Sequence, residues 1–160
     1  MSIVEMGMSL PAICLPATGE QQIDLATLKG QNVVLYFYPR DNTPGCTQEG
    51  QDFRDLQQQF IAHNTLVLGV SRDTVRKHEN FKQKYEFNFD LLADTEETLC
   101  QAFDVIQPKM MFGKKVTGIV RSTFLFDKNS QLVQMWSKVK VTDHASEVLN
   151  AVKKLENNHE

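Results

Sequence analysis

The sequence predicts an α/β protein in which a mixed β-sheet lies between helices, and three observations carry that reading. Two almost wholly apolar runs, Val33 to Tyr38 and Thr65 to Ser71, have the composition of strands covered on both faces. Between them Phe53, Leu56 and Phe60 recur at spacings of three and four, the mark of an amphipathic helix. Further on, two apolar segments joined by the turn Asp127-Lys128-Asn129-Ser130 precede a last helical pattern. A βαβ unit is thus followed by ββα, which gives a sheet of mixed direction.

The elements follow in order. Met1 to Gly19 mixes apolar residues with turn signals and predicts short strands or a hairpin laid beside the main fold. Ile23 to Leu28, followed by Gly30, reads as a short strand and one helical turn closed by glycine. The first long helix runs from Thr43 to about Ala62, with Cys46, Gly50, Phe53 and Leu56 near one face, so the cysteine points coreward. After the second apolar strand, Asp73 or Thr74 caps a helix reaching about Tyr85. Asp90-Leu91-Leu92 is a brief strand, and Asp94 or Thr95 caps a short helix through Phe103. Gln107 to Gly118, with two glycines, a proline and three lysines, reads as a mobile surface loop. Strands over Ile119 to Phe126 and Leu132 to Ser137 come next, and Asp143 caps a last helix lined by Val148, Val152 and Leu155.

Composition narrows the function. At 160 residues and 41% hydrophobic content, with five prolines and eight glycines, residues 1–160 are expected to form one domain with a full core. Seventeen basic residues against twenty acidic ones leave a net charge of −3, without the basic footprint of a nucleic-acid-binding protein. Glu5, Pro11 and Pro16 interrupt the N-terminal segment where a signal peptide would be apolar, and no run reaches the ~18 apolar residues of a membrane span. Three cysteines, at 14, 46 and 100, are odd in number and far apart, which points to a reducing, cytoplasmic setting rather than a disulfide framework. The histidines at 63, 78, 144 and 159 show no metal-ligand spacing and are expected on the solvated surface. No cofactor or metal is expected.

One cysteine has a distinctive setting. The run ending Tyr36-Phe37-Tyr38 stops at Pro39, a polar loop follows, and Thr43-Pro44-Gly45-Cys46 reads as a helix start. Thr43 suits the N-cap, Pro44 suits the first helical position, and Cys46 then falls at the third, among unpaired backbone N–H groups that favour negative charge. A thiol at such a strand-to-helix junction is a candidate nucleophile.

The element order is that of a thioredoxin-like fold with an N-terminal β extension. Pro39-x-x-x-Thr43-x-x-Cys46 resembles the signature of the peroxiredoxins, thiol peroxidases that reduce hydroperoxides. The strings Tyr36-Phe37-Tyr38-Pro39, Thr43-Pro44-Gly45-Cys46-Thr47-x-Glu49 and Gly118-Ile119-x-Arg121-Ser122-Thr123-Phe124-Leu125 are similar to the Q subfamily, also called bacterioferritin comigratory proteins. The resemblance covers essentially the whole chain. It implies an antioxidant enzyme without a cofactor, a hydroperoxide substrate, and thioredoxin, glutaredoxin or glutathione as reductant. A monomer is expected, with a weak dimer as the alternative.

Peroxide reduction needs an ionised sulfur and a stabilised leaving oxygen. A free cysteine, with pKa about 8.5, is mostly thiol at neutral pH. A helix terminus supplies about 0.3–1 kcal/mol, roughly 2 in the best geometry. A guanidinium at about 4 Å supplies up to roughly 4 kcal/mol at an effective dielectric near 20, before desolvation, so the arginine is expected to dominate. By the resemblance that cation is Arg121, whose fork of N–H donors reaches both sulfur and peroxide oxygens. Thr43 is then either a helix cap or a hydroxyl partner of the peroxide. Pro39, lacking an N–H, stiffens the loop and shields the sulfur. Glu49 either orients the arginine or merely sits favourably in a first helical turn. Met110-Met111-Phe112 reads either as an apolar lip for organic hydroperoxides or as a loop packed on the core.

The chain departs from the subfamily in one respect. Many members carry a resolving cysteine five residues after the first, where this sequence has Gln51; others carry it in the helix after the second buried strand, and Asp73 to Tyr85 contains none. A single-cysteine cycle with external thiols is therefore expected, leaving Cys14 and Cys100 as secondary candidates for resolution. Two rival functions use similar parts. A disulfide oxidoreductase would show Cys-x-x-Cys, and residues 43–49 offer one cysteine. A peroxide sensor or chaperone-like redox protein would use the same thiolate without efficient turnover.

Overall fold

The computed structural model describes residues 4–158, so His159 and the first three residues fall outside the account that follows. Seven strands form one mixed sheet in the order β2-β1-β5-β4-β3-β8-β9. They are β1 (Cys14–Ala17), β2 (Gln21–Asp24), β3 (Asn32–Phe37), β4 (Thr65–Ser71), β5 (Asp90–Ala93), β8 (Ser122–Phe126) and β9 (Leu132–Trp136). The helices are α1 (Pro44–Ala62), α2 (Val75–Lys84), α3 (Thr98–Ala102) and α4 (His144–Asn158). β3, β4 and β5 run parallel, while β8 and β9 add antiparallel on the other side of β3. This is the thioredoxin-like architecture.

β3 shows why the apolar runs lie at the centre. Its six residues are all buried, and its side chains alternate between two cores. Val33, Leu35 and Phe37 join Leu25, Phe103 and Phe124 on one face. Val34 and Tyr36, continued by Tyr38, join Cys46, Phe53 and Phe60 of α1, Phe81 of α2, and Val148 and Val152 of α4 on the other.

The N-terminal hairpin is more than a neighbour of the main fold. β1 pairs with β5 through Ala17 and Leu92, so the hairpin extends the sheet at its edge. Residues 107–118 are not an irregular loop. They form a separate two-stranded hairpin of β6 (Ile106–Met111) and β7 (Lys114–Ile119). Its two-residue turn, Phe112 and Gly113, has positive φ at both positions (54° and 77°), which matches the twist of a tight hairpin. Pro108 and the lysines in this segment are tolerated because both strands are edges. Met110 and Phe112 lie exposed on the hairpin rather than against the core. The expected strand over Ile119 to Phe126 is broken at Val120 and Arg121, between β7 and β8. Two histidines expected on the surface are buried: His78 is 0% and His144 4% exposed.

Candidate active site

β3 leads into the loop 38–43, and α1 starts at its end. Asn42, with φ 63°, makes the left-handed step that turns the chain, a conformation asparagine tolerates. Pro44 is the first helical residue and Cys46 the third, 2% exposed. Thr43 occupies the N-cap position, yet its hydroxyl does not cap the helix. It donates instead to the Arg40 carbonyl at 3.0 Å, leaving its oxygen free to accept. Pro39, within this loop, is half-buried.

Arg121 approaches from the break between β7 and β8. The backbone there is fixed by Val120 N–H donating to the Val105 carbonyl and Val139 N–H donating to the Arg121 carbonyl. One arm of the guanidinium, Nη2, stands 3.5 Å from Cys46 Sγ, and the other, Nη1, donates to Glu49 Oε1 at 2.6 Å. Cys46, Glu49 and Arg121 are thus brought together. Glu49 lies in the second turn of α1, not the first, and is 1% exposed, so it is no solvated helix-end carboxylate.

Burial and charge compete at this pair. Desolvation pushes the Glu49 carboxyl up to about 7, although the Arg121 charge and hydrogen bond pull it down. Burial works against the guanidinium, but the facing Glu49 and Cys46 more than reverse that and hold its pKa above the ordinary value. Among the described residues Glu49 Oε2 and Tyr36 Oη, like Gln57 Oε1 further along α1, are buried without hydrogen-bond partners, which few buried polar groups are. Tyr36 stacks on Phe53 with ring centroids 4.6 Å apart, and burial followed by the Glu49 charge raises its pKa well above the usual phenol range.

Several residues of this environment escape sequence reasoning. Gly45 leaves room for the arginine: a Cβ there would lie 3.1 Å from Arg121 Nη2. His144, first residue of α4, bonds Thr123 Oγ1 at 2.8 Å; burial, with a contribution from the Arg121 charge, lowers its pKa. Behind the loop, Tyr38 donates to Asp41 Oδ1 at 2.6 Å, and His78 Nδ1 lies 2.7 Å from Asp41 Oδ2. No spacing rule in the sequence marks His78 or His144, since their partners Asp41 and Thr123 lie on different elements.

Asp41, Asp73 and His78 place ligand atoms within 4.8 Å of one another, the spacing a metal ion would need. His78 Nε2 faces the Leu92 carbonyl at 2.8 Å, which can only accept, so Nε2 carries hydrogen, and Nδ1 stands 2.7 Å from Asp41 Oδ2.

The geometry thus sets an arginine against a buried cysteine at a helix start on a thioredoxin-like sheet, and comparison with known proteins agrees. Residues 6–135 match the family model of the AhpC/TSA family. Peroxiredoxin Bcp of Xanthomonas campestris pv. campestris is 47% identical over 152 residues, 95% of each chain. Peroxiredoxin Bcp of Bacillus subtilis is 45% identical, covering 94% of this chain and 96% of its own. Among solved structures, a cysteine-to-serine mutant of Xylella fastidiosa PrxQ superposes with TM-score 0.90 at 44% identity, covering 95% of this chain and 97% of that one. The chain belongs to the AhpC/TSA family, within which it is a peroxiredoxin of the Bcp, or Q, type. As such it is a thiol peroxidase. No described helix is long and apolar enough to cross a membrane.

Proposed function

We propose that Cys46 is the peroxide-reducing nucleophile and that external thiols restore it in a single-cysteine cycle. The contact that carries the reading is Arg121 Nη2 at 3.5 Å from Cys46 Sγ. The thiolate attacks the nearer peroxide oxygen, the O–O bond breaks, sulfur becomes a sulfenic acid, and the departing alkoxide or hydroxide takes a proton. Arg121 stabilises the thiolate and then the charge growing on the leaving oxygen. Glu49 holds the guanidinium from behind, Thr43 offers its free lone pair to the peroxide O–H, and Pro39 screens the sulfur from water. Alkyl peroxide reduction is recorded for the Xanthomonas campestris bacterioferritin comigratory protein, 47% identical, and we extend both alkyl and hydrogen peroxides to this chain. We also assign it to the cytoplasm, as one domain over residues 1–160 acting as a monomer, with thioredoxin, glutaredoxin or glutathione as reductant.

The positions of the other cysteines support the single-cysteine cycle. Cys100 belongs to the core on one face of the sheet and Cys46 to the core on the other. Cys14 lies on β1, three strands from β3, or about 14 Å at ~4.8 Å per strand. A disulfide needs Cα atoms within about 7 Å.

Intact mass of the reduced protein, quenched within a second of adding one equivalent of hydroperoxide, tests the reading. A gain of one oxygen on Cys46 is expected. Loss of two hydrogens would mean that another cysteine resolves it, and an unchanged mass would end the peroxidase assignment to Cys46. Arg121→Ala is expected to slow this oxidation by about 10²-fold or more, as loss of an oxyanion-hole donor does.

A further inference from the structure

The Thr43 hydroxyl has its lone pair free for a peroxide O–H because its own hydrogen is committed elsewhere, to the Arg40 carbonyl at 3.0 Å. That carbonyl belongs to the peptide unit joining Arg40 to Asp41, a planar group whose C=O and N–H point in opposite directions. The N–H of the same unit donates to Asp73 Oδ2 at 2.8 Å, a buried contact across 32 positions of sequence. Holding the N–H on one side aims the carbonyl to the other, toward Thr43.

Asp73, 8% exposed, is itself fixed. Its Oδ2 also accepts from Ser71 Oγ at 2.6 Å, and Ser71 Oγ accepts in turn from the Asp73 N–H at 3.1 Å, which closes a small ring around the carboxylate. Ser71 is fully buried at the end of β4, where its carbonyl accepts from the Asp94 N–H at 2.9 Å. The Asp41 side chain pins the peptide from the far side: it accepts from Tyr38 Oη at 2.6 Å and lies 2.7 Å from His78 Nδ1. Rotating the Arg40–Asp41 peptide would leave buried partners unpaired, which costs more than an ordinary hydrogen bond is worth. A threonine at an N-cap ordinarily spends its side chain on the first-turn N–H groups, and here it does not. The hydroxyl is diverted to the Arg40 carbonyl instead.

We infer that Asp73 is a positioning residue for peroxide reduction. Through the Arg40–Asp41 peptide it sets the Thr43 hydroxyl with its hydrogen turned away from the substrate and its lone pair toward the peroxide O–H. Among the described residues its side chain bonds Ser71 and Asp41 and does not reach Cys46. The inference rests on the acceptor role given to Thr43 above. With the carbonyl rotated away, the hydroxyl hydrogen would be free to point into the site, and the incoming O–H would lose its fixed acceptor.

Stopped-flow oxidation of Cys46 in a double-mutant cycle of Asp73→Ala and Thr43→Val, with Asp73→Asn alongside, tests this. Asp73→Ala is expected to slow oxidation about tenfold, less than the ~10²-fold of a full ångström's misplacement at a reacting centre. Asp73→Asn should recover most of the rate, because a carboxamide oxygen accepts from the same two donors although the charge is gone. In the Thr43→Val background, with no hydroxyl to orient, Asp73→Ala should cost nothing further. Alkylation of Cys46 by iodoacetamide, which brings no peroxide O–H, should keep its rate in Asp73→Ala. Ser71→Ala frees the Asp73 carboxylate without emptying its place; it should slow oxidation less, again only where Thr43 is present, and it carries the test if Asp73→Ala does not fold. A wild-type rate in Asp73→Ala would overturn the inference. Equal slowing in both Thr43 backgrounds would do so by showing an effect that bypasses the hydroxyl, and Asp73→Asn as slow as Asp73→Ala by showing one carried by charge. Alkylation slowed in step with oxidation would overturn it as a loosening of the whole site. An unchanged rate in Thr43→Val alone would remove the acceptor role of Thr43, and the inference with it.

Discussion

Cys46 and Cys100 are the same residue in nearly the same local position, and they differ in what faces the sulfur and the helix's first turn. Each is the third residue of a helix, each is buried to 2% exposure or less, and they lie on opposite faces of one sheet. At α3 the first-turn N–H groups are already taken: Asp94 accepts from Leu99 N–H at 3.1 Å and Cys100 N–H at 2.7 Å. Burial first, and then that carboxylate, push the Cys100 thiol far above its ordinary value. At α1 no side chain caps the turn, and the charge facing the sulfur is the Arg121 cation. Helix position and burial are alike at the two thiols, and the sign of the neighbouring charge is the difference on which we assign the reactive role to Cys46.

The largest effect should come from exchanging each cysteine. Cys46→Ser is expected to abolish hydroperoxide reduction with dithiothreitol as reductant, whereas Cys100→Ser keeps activity within a few-fold and loses some stability from its core site. Peroxide consumption and thermal unfolding on both variants check this. Equal loss of activity in the two would break the contrast and give Cys100 a redox part after all.

A second prediction sharpens the role of the charge behind the arginine. A carboxyl at about 7 in the folded chain and about 4.3 unfolded binds its proton more readily when folded. That proton's contribution to stability is fully present below about pH 4.3 and lost as pH rises through 7, on the order of 3 kcal/mol in all. Glu49→Gln keeps an acceptor for Arg121 and removes the titration. Urea midpoints of wild type and variant, measured between pH 5 and pH 8, should therefore diverge, with the variant gaining on the wild type as pH rises. Parallel curves would show that Glu49 is ionised throughout, as in an ordinary ion pair.

How far the sequence revealed this site depends on distance along the chain. The unbroken apolar run of β3, the spacing of Phe53 and Phe60 and the Thr43-Pro44 helix start are local patterns, and the structure places them as read. Arg121 and Glu49 were recognisable only through family resemblance, because 72 positions separate them and no periodicity spans that. His78 and His144 misled for the same reason. Histidines without ligand spacing usually face solvent, and only the fold puts Asp41 against the first and Thr123 against the second. Gln107 to Gly118 reads as a loop in the sequence, and as a hairpin in the structure, because a proline and lysines suit edge strands as well as irregular chain.

Gly45→Ala gives the finest test of the contrast, since it changes no charge. A Cβ at this position would stand 3.1 Å from Arg121 Nη2 and 3.9 Å from Cζ, closer to the nitrogen than side chains normally pack. Glu49 holds the other arm at 2.6 Å, so the guanidinium has little freedom to swing aside and must shift as a unit by a few tenths of an ångström. A full ångström of misplacement at a reacting centre costs about 10²-fold, so Gly45→Ala is expected to slow Cys46 oxidation several-fold. Alanine favours a helix more than glycine does, which leaves the fold as stable or more so. Stopped-flow oxidation alongside thermal unfolding separates the two effects. Slower oxidation at undiminished stability would show that the position of the charge, and not merely its presence, sets the reactivity of Cys46. An unchanged rate would show that the arginine acts at longer range than contact.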